Sequence, residues 1–181
     1  MVAARLITIE EVASTPGIGQ WELLDGEPVV VTPLADRSGW IAGEIFGLLR
    51  NHVRAERAGW TFPPETGFVL FADRATVRSP DAAFVRQERL PEFTDRFVPV
   101  PPDLAVEVLS PSDRMADALS KVAMYLEAGV RLVWLVDPAT RTATIFRPDA
   151  APRTVDREGT LEGGEVLPGL MIPLAEVFDR V

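Results

Sequence analysis

The apolar and polar positions between residues 101 and 137 predict a strand, a helix and a second strand. The first strand is the apolar run from Leu104 to Leu109, which a single acid, Glu107, interrupts. The second strand is the apolar run from Val133 to Val136. Two strands joined through a helix commonly pair in parallel with a right-handed crossover, so these runs are expected to be neighbours in one sheet.

The predicted helix between these strands carries an apolar stripe and a single lysine. Gly129 is expected to end the helix. The stripe follows the spacing of an amphipathic helix and consists of Met115, Leu119, Val122 and Leu126. Lys121 lies on the shoulder of this stripe and is the only lysine among eighteen Lys and Arg residues. Two explanations fit that pattern. One is a site that needs a compact ammonium with a shiftable pKa, and the other is a codon bias toward arginine.

The remaining segments predict a long helix, a β-hairpin near the start and several short elements. The long helix runs from Asp36 to about Ala58, and Asp25-Gly26 forms the hairpin turn, with Glu22 and Glu27 on its solvent face. The other expected elements are a capped helix at 6–12 that ends at 16–19, strands at 67–71, 77–79, 82–85, 142–146 and 170–172, a mobile surface loop at 86–102, and a short helix at 173–178. A single mixed α/β domain over residues 1–181, with its core at about 36–147, is therefore expected.

Composition excludes several kinds of site. The chain has no cysteine, so a disulfide framework, a thiolate metal site and a cysteine nucleophile are excluded. Its only histidine, His52, excludes multi-histidine metal sites and weakens a Ser-His-Asp reading. The net charge of −9 opposes non-specific binding to nucleic acid without forbidding a local basic groove. No transmembrane run or signal peptide is recognisable, so a cytoplasmic protein that does not enter the membrane is expected.

Two acids and the lysine can be interpreted structurally or chemically. Glu107 within an apolar strand either faces water or needs a partner when it is buried. Asp81 follows Pro80 at the start of a predicted strand, where an aspartate often caps a turn. Asp117 and Lys121 have the i,i+4 spacing of an ordinary surface ion pair. The chemical interpretation brings Asp81, Glu107 and Lys121 into one site.

The ordered set of stretches resembles the PD-(D/E)xK nuclease superfamily, and more specifically the Uma-two family of restriction-endonuclease-like proteins. The resemblance covers about residues 20–150, and its stretches are 21–27, 79–85, 102–112, Asp117 with Lys121 and Tyr125, 128–130 and 134–138. It implies a restriction-endonuclease-like core, which is a central mixed sheet flanked by helices, with extra N- and C-terminal β-hairpins. It also implies that the acids converge at one end of the sheet.

The same resemblance implies a Mg²⁺- or Mn²⁺-dependent endonuclease that hydrolyses phosphodiester bonds in DNA. Asp81, Glu107 and the backbone carbonyl of Val108 would hold the metal, as oxygen ligands with open positions suit these ions. Lys121 would orient the attacking water or stabilise the transition state, and Asp117 would support Lys121.

The sequence departs from the superfamily pattern at two positions. The usual lysine, two residues after the second acid, is Leu109 here, so the resemblance implies that Lys121 replaces it from the following helix. Ser38 stands where family members often have a histidine. A catalytically silent interaction module and a metal-dependent hydrolase of small phosphorylated substrates stay open as alternatives. A homodimer would suit the cutting of two strands, with the apolar hairpin at Val29 to Val31 as its interface.

Overall fold

A computed structural model describes residues 6–13 and 21–179. In these two ranges the chain forms four α-helices, twelve strands and one short 3-10 helix (Gln87–Arg89). In chain order they are α1 (Ile9–Ala13), β1 (Trp21–Leu24), β2 (Glu27–Val30), α2 (Asp36–Glu56), β3 (Gly59–Phe62), β4 (Phe68–Phe71), β5 (Thr76–Arg78), β6 (Ala82–Arg86), β7 (Leu104–Val108), α3 (Met115–Glu127), β8 (Leu132–Asp137), β9 (Thr142–Arg147), β10 (Ala150–Val155), β11 (Thr160–Glu162), β12 (Met171–Pro173) and α4 (Leu174–Phe178).

A six-stranded mixed sheet in the order β10-β9-β8-β7-β6-β3 forms the centre of the molecule. β7 and β8 are parallel, with Glu107 opposite Leu135, and the other neighbours in this sheet are antiparallel. The predicted parallel pair joined through α3 is therefore confirmed, as is the mixed α/β class. Every residue of β7 is buried, which is expected of a parallel strand covered on both faces.

Helices cover both faces of this sheet. On one face, α2 and α4 pack Ile45 and Phe178 against Val106 and Trp134 of the sheet in one apolar cluster. On the other face, α3 packs Val122 with sheet residues in a second cluster. This arrangement leaves the ends of β6 and β7 and the adjacent side of α3 to form the candidate site.

The buried face of α3 differs from the predicted stripe. The helix buries Ala118, Val122 and Tyr125, whereas Met115 and Leu119 are 48% and 44% exposed. The predicted stripe is therefore right for Val122, which is buried, and for Leu126, which packs against the second cluster, and wrong for Met115 and Leu119. The helix is rotated because the sheet face beneath it carries the buried Glu107, which needs polar partners that apolar side chains cannot supply.

A four-stranded antiparallel sheet in the order β2-β1-β5-β4 packs beside the central unit. The predicted hairpin around Asp25-Gly26 is present, and Glu27 is exposed as expected. Glu22, in contrast, is only 3% exposed, so its expected place on a solvent face is wrong. Its face of β1 is covered, and there Glu22 forms an ion pair with the equally buried Arg78 of β5, whose guanidinium reaches Met124 of α3.

Three strands and one well-anchored loop were not expected from the sequence pattern. The strands are β3, β10 and β11. The segment 86–102 lacks long regular structure, but the backbone of Val98 exchanges two 2.9 Å hydrogen bonds with Gly67 and Val69. Leu90 and Val98 are also buried, so this segment is anchored to the body at both positions.

The termini agree with the predicted elements where the structure describes them. Thr8 and Glu11 form a reciprocal capping box at the start of α1, with hydrogen bonds of 3.0 and 3.2 Å. The predicted end of that helix at 16–19 lies outside the described residues. In ranges 6–13 and 21–179, no helix is both long and apolar enough to span a bilayer.

Candidate active site

Asp81 lies at the point where β6 begins beside the end of β7. Its backbone N–H donates to the Val106 carbonyl at 2.9 Å, which continues the pairing of the two strands. Its carboxylate then accepts a 2.7 Å hydrogen bond from the N–H of Val108. The side chain therefore caps the strand end, and it lies beside Val108, the residue whose backbone carbonyl is a candidate metal ligand.

Glu107 is held by two side chains from α3. Lys121 donates to Oε2 at 3.1 Å, and the Tyr125 hydroxyl donates to Oε1 at 2.7 Å. The two donors are one helical turn apart, so both reach the same carboxylate from one face of α3. Glu107 is 7% exposed, and these bonds supply the polar partners that a buried carboxylate needs.

A second buried ion pair lies next to this cluster. Arg78 of β5 donates to Oε2 of Glu22, whose Oε1 accepts a 3.0 Å hydrogen bond from the backbone N–H of Ser79. The Arg78 guanidinium also lies 3.5 Å from the Met124 sulfur on α3. The pair connects the four-stranded sheet to the helix that carries Lys121.

Burial and crowding of the two acids raise their pKa values. Burial, followed by the charge of Glu107, raises the pKa of Asp81 to about 7. Burial also raises the pKa of Glu107; the Lys121 charge opposes this shift and the Glu22 charge adds to it. Two buried acids that resist joint ionisation are an arrangement that a bound cation would relieve.

The pKa values of Lys121 and Tyr125 shift for the same reason. Burial by itself lowers the pKa of Lys121, but the charges of Glu107 and Glu22 outweigh it and raise that pKa. Burial, with the charges of Glu107 and Glu22, raises the pKa of Tyr125 well above its usual value. Lys121 is therefore an ammonium and Tyr125 a neutral donor at physiological pH.

The structure thus brings Asp81, Glu107 and Lys121 together but leaves Asp117 apart. Asp117 is exposed in the first turn of α3, and within the described ranges it forms no ion pair with Lys121. The expected i,i+4 pair is therefore wrong, because Lys121 turns inward to the buried Glu107. Ser38 is buried and donates a 2.8 Å hydrogen bond to the Leu109 carbonyl, which joins α2 to the end of β7.

Three partners of this site were not assigned from the sequence. Tyr125, the only tyrosine of the chain, belongs with Asp117 and Lys121 to the stretches that carry the family resemblance, but no role was assigned to it. Glu22 and Arg78 are 56 residues apart, and only the pairing of β1 with β5 brings them together. Glu22 belongs to the hairpin stretch that the family resemblance included, whereas no pattern in the sequence marked Arg78.

The available donors fit a divalent cation that retains water. Two carboxylates and the nearby Val108 peptide are oxygen donors, which Mg²⁺ and Mn²⁺ prefer. Among the residues described, no three His, Cys, Asp or Glu side chains form a group that could hold a metal. A cation here would therefore depend on Asp81, Glu107 and a backbone carbonyl, with water or a phosphate completing its coordination.

Comparison with known proteins gives a consistent family and fold. A family model named Uma2, described as "Putative restriction endonuclease", matches residues 9–175. The fold is similar to the crystal structure of a protein from Anabaena variabilis titled as a "putative nuclease belonging to DUF820", with a TM-score of 0.80. The two chains are 19% identical, and the similarity covers 96% of this chain and 98% of the other.

None of the curated proteins searched matches this chain. The similarity to the Anabaena protein concerns the fold, whereas the family model matches the sequence itself. The matched range contains β6, β7 and α3, and with them every side chain of the candidate site. The chain therefore belongs to the Uma2 (Uma-two) family of restriction-endonuclease-like proteins.

Proposed function

We propose that this protein is a metal-dependent endonuclease that hydrolyses phosphodiester bonds in DNA. The carrying observation is the joint arrangement of Asp81, Glu107 and Lys121. Asp81 directly precedes β6, Glu107 lies near the end of the adjacent β7, and the only lysine of the chain donates to Glu107 at 3.1 Å. The family's description as a restriction endonuclease supports nucleic acid as the substrate.

Asp81, Glu107 and the Val108 carbonyl would hold Mg²⁺ or Mn²⁺. When bound, either ion would lower the pKa of a coordinated water and offset charge on the scissile phosphate. One Asp81 oxygen already accepts from Val108, which orients the carboxylate and leaves its other oxygen without a hydrogen bond in the described structure. Tyr125 similarly fixes the plane of the Glu107 carboxylate.

Lys121 would act on the reacting phosphate as a point charge. Its side chain is 28% exposed, so the ammonium lies between the buried Glu107 and the surface where DNA would approach. A charge fixed there stabilises the negative charge that develops in the transition state. The ammonium also offsets part of the negative charge that the acids place in front of a polyanionic substrate.

The test is cleavage of supercoiled plasmid and of oligonucleotides with Mg²⁺ or Mn²⁺. The wild type is compared with Asp81→Ala, Glu107→Ala and Lys121→Ala, and with wild type in EDTA. Glu127→Ala is the matched control, because this exposed acid lies at the far end of α3. The proposal expects metal-dependent cleavage that is lost in the three site variants and retained in the control.

Three results would contradict the proposal. Cleavage that survives in all three site variants would mean that another protein in the preparation is the nuclease. A folded wild type that binds no metal and cleaves no DNA would identify an interaction module on this fold. Metal-dependent hydrolysis of small phosphate esters without DNA cleavage would instead identify the small-substrate hydrolase.

A further inference from the structure

A groove of about 810 Å³ opens beside the candidate site. The start of α2, the loop between β7 and α3 and the turn between β8 and β9 form its walls. Its volume falls within the range of small-molecule binding sites. Leu109, which directly follows Val108, lines the groove, and the Ser38 hydrogen bond to its carbonyl fixes this junction. The groove is therefore continuous with the end of β7 that carries Glu107.

Two large apolar side chains are left open on the groove wall. Trp40 of α2 is 46% exposed and Met115 of α3 is 48% exposed. Neither belongs to the apolar clusters that stabilise the sheet. An exposed indole beside a flexible thioether offers a flat, adaptable apolar surface for a planar ligand.

The groove carries charges of both signs. Asp36, Asp113 and Asp137 line it, and each accepts a hydrogen bond from a backbone N–H close to it in sequence. Arg37 also lines the groove, and Arg114 lies between two lining residues at the start of α3. In the part of the chain that the structure describes, neither arginine takes part in an ion pair.

This distribution suits a nucleotide whose base and phosphate are treated differently. Carboxylates repel a phosphate but accept hydrogen bonds from the amino groups of bases. Unpaired guanidinium groups attract phosphate. A base can stack on an exposed indole, and this contact tolerates any base because each has a flat π-face. A phosphate near Arg37 and Arg114 and a base against Trp40 satisfy all three conditions.

We propose that this groove, hereafter the Trp40 groove, receives an unstacked nucleobase of the DNA strand that lies at Asp81 and Glu107. The Trp40 groove is defined by Arg37, Trp40, Leu109, Asp113, Met115 and Asp137. The inference rests on the proposed function for the substrate class and for the path of the strand. It implies a preference for single-stranded or locally unpaired DNA, because a base must leave its stack to enter the groove.

The first experiment measures binding rather than cleavage. Fluorescence anisotropy records the affinity of a labelled single strand of about 12 nucleotides in Ca²⁺, with strand integrity checked on a gel. Trp40→Ala is expected to weaken binding by about ten-fold or more, since loss of base stacking typically has an effect of that size. Trp40→Phe retains a stacking face and should bind within a few-fold of wild type.

Trp21→Ala is the matched control for this measurement. Trp21 is 43% exposed, like Trp40, but belongs to the β1–β2 hairpin and is absent from the groove lining. The Trp21→Ala substitution should leave the affinity for the labelled strand unchanged. Circular dichroism checks that both variants fold, which is expected because both side chains are largely exposed. Equal losses in Trp40→Ala and Trp21→Ala would overturn the proposal, as would a wild type that binds no strand.

A second arm identifies the base. A single abasic site is moved along the strand, and one position should weaken binding to the wild type by the same factor as Trp40→Ala. An abasic site at that position should not weaken binding to the Trp40→Ala protein any further. If Trp40→Ala weakens binding of an intact strand and of a fully abasic strand by the same factor, the assignment of a base to the groove is overturned. If binding depends on Trp40 but no DNA is cleaved, the proposed nuclease activity is rejected and the groove proposal stands. If cleavage depends on Asp81, Glu107 and Lys121 but Trp40→Ala binds like wild type, the groove proposal is rejected and the nuclease stands.

Discussion

The carboxylate of Asp81 accepts a 2.7 Å hydrogen bond from the backbone N–H of Val108. At the end of β7 this bond takes the place of a backbone hydrogen bond to the neighbouring strand β6. It holds Asp81 beside Val108, the residue that follows Glu107. The two acids are therefore held by the sheet itself rather than by a flexible loop. A site built on strands keeps its geometry better than one built on loops.

The first prediction concerns the dependence of stability on pH without metal. The pKa of Asp81 is about 7 in the folded chain, against an ordinary value of 3.8, so the folded state binds more protons between these values. Stability in EDTA should therefore fall as the pH rises from about 4 to about 7, and Glu107 should add to the slope because its pKa is also raised. Urea denaturation at several pH values measures this.

Asp81→Asn isolates the contribution of Asp81 to that slope. The amide oxygen can still accept the hydrogen bond from Val108, but no charge is buried. At pH 8 the free energy of unfolding of the variant should therefore exceed that of the wild type by about 1–2 kcal/mol, a figure that allows for the partial exposure of the side chain. The difference should disappear below about pH 4, where the wild-type acid is protonated. Asp117→Asn, at an exposed position, is the control. An Asp81→Asn protein that is less stable at pH 8 would contradict the prediction.

The second prediction concerns the addition of metal. Mg²⁺ or Mn²⁺ should raise the melting temperature, and the rise should be larger at pH 8 than at pH 5, because a protonated Asp81 must lose its proton before it binds a cation. At a metal concentration one hundred times Kd, the stabilisation should be about 2.7 kcal/mol. Asp81→Asn and Glu107→Gln should abolish the effect in differential scanning fluorimetry. An equal rise in those variants would place the cation elsewhere.

The third prediction concerns the Tyr125 hydroxyl. Tyr125→Phe keeps the buried ring but removes the 2.7 Å hydrogen bond to Glu107, so the free energy of unfolding should fall by about 1–3 kcal/mol. The carboxylate also loses one of the two contacts that orient it, so cleavage should decrease as well. Denaturation in urea gives the first quantity and plasmid cleavage the second. Unchanged stability would show that the hydroxyl does not support Glu107 in solution.

The fourth prediction concerns the buried pair of Glu22 and Arg78. Arg78→Met leaves the Glu22 charge buried without its partner, which should cost about 3–5 kcal/mol of stability. The double variant Glu22→Gln with Arg78→Met should recover much of that loss, since neither charge is then stranded. Glu127→Gln, which breaks the exposed pair with Arg74, should change stability by at most about 1 kcal/mol. Additive losses in the double variant would contradict this coupling.

The chain order of the site elements could be predicted from local pattern. Glu107 stood out as an acid within an apolar strand, and the strand–helix–strand pattern around it fixed the parallel pairing of β7 with β8. Asp81 at the start of the preceding strand and Lys121 on the connecting helix followed from the same pattern, whereas their roles in one site followed from the family resemblance. The structure brings all three together, while their chemical roles stay a prediction.

The errors have a common physical origin. The stripe of α3 was assigned from hydropathy alone, but the buried face of a helix depends on what the opposing surface requires. A buried carboxylate on β7 selects Lys121 and Tyr125 over Met115 and Leu119. Glu22 was assigned to solvent because strand alternation does not reveal which face of a strand the rest of the molecule covers.

The sequence by itself determined the elements, their order and the residues with distinctive chemistry, because periodicity, turns and caps depend on neighbours along the chain. The tertiary structure alone decided the rotation of α3, the pairing of Glu22 with Arg78 and the groove beside Trp40. Each of these depends on contacts between segments far apart in sequence, such as the 56 residues between Glu22 and Arg78. For α3 and for the Glu22–Arg78 pair, burial of charge made the contacts specific, since an ionised group inside the protein must find its partner wherever the fold provides one.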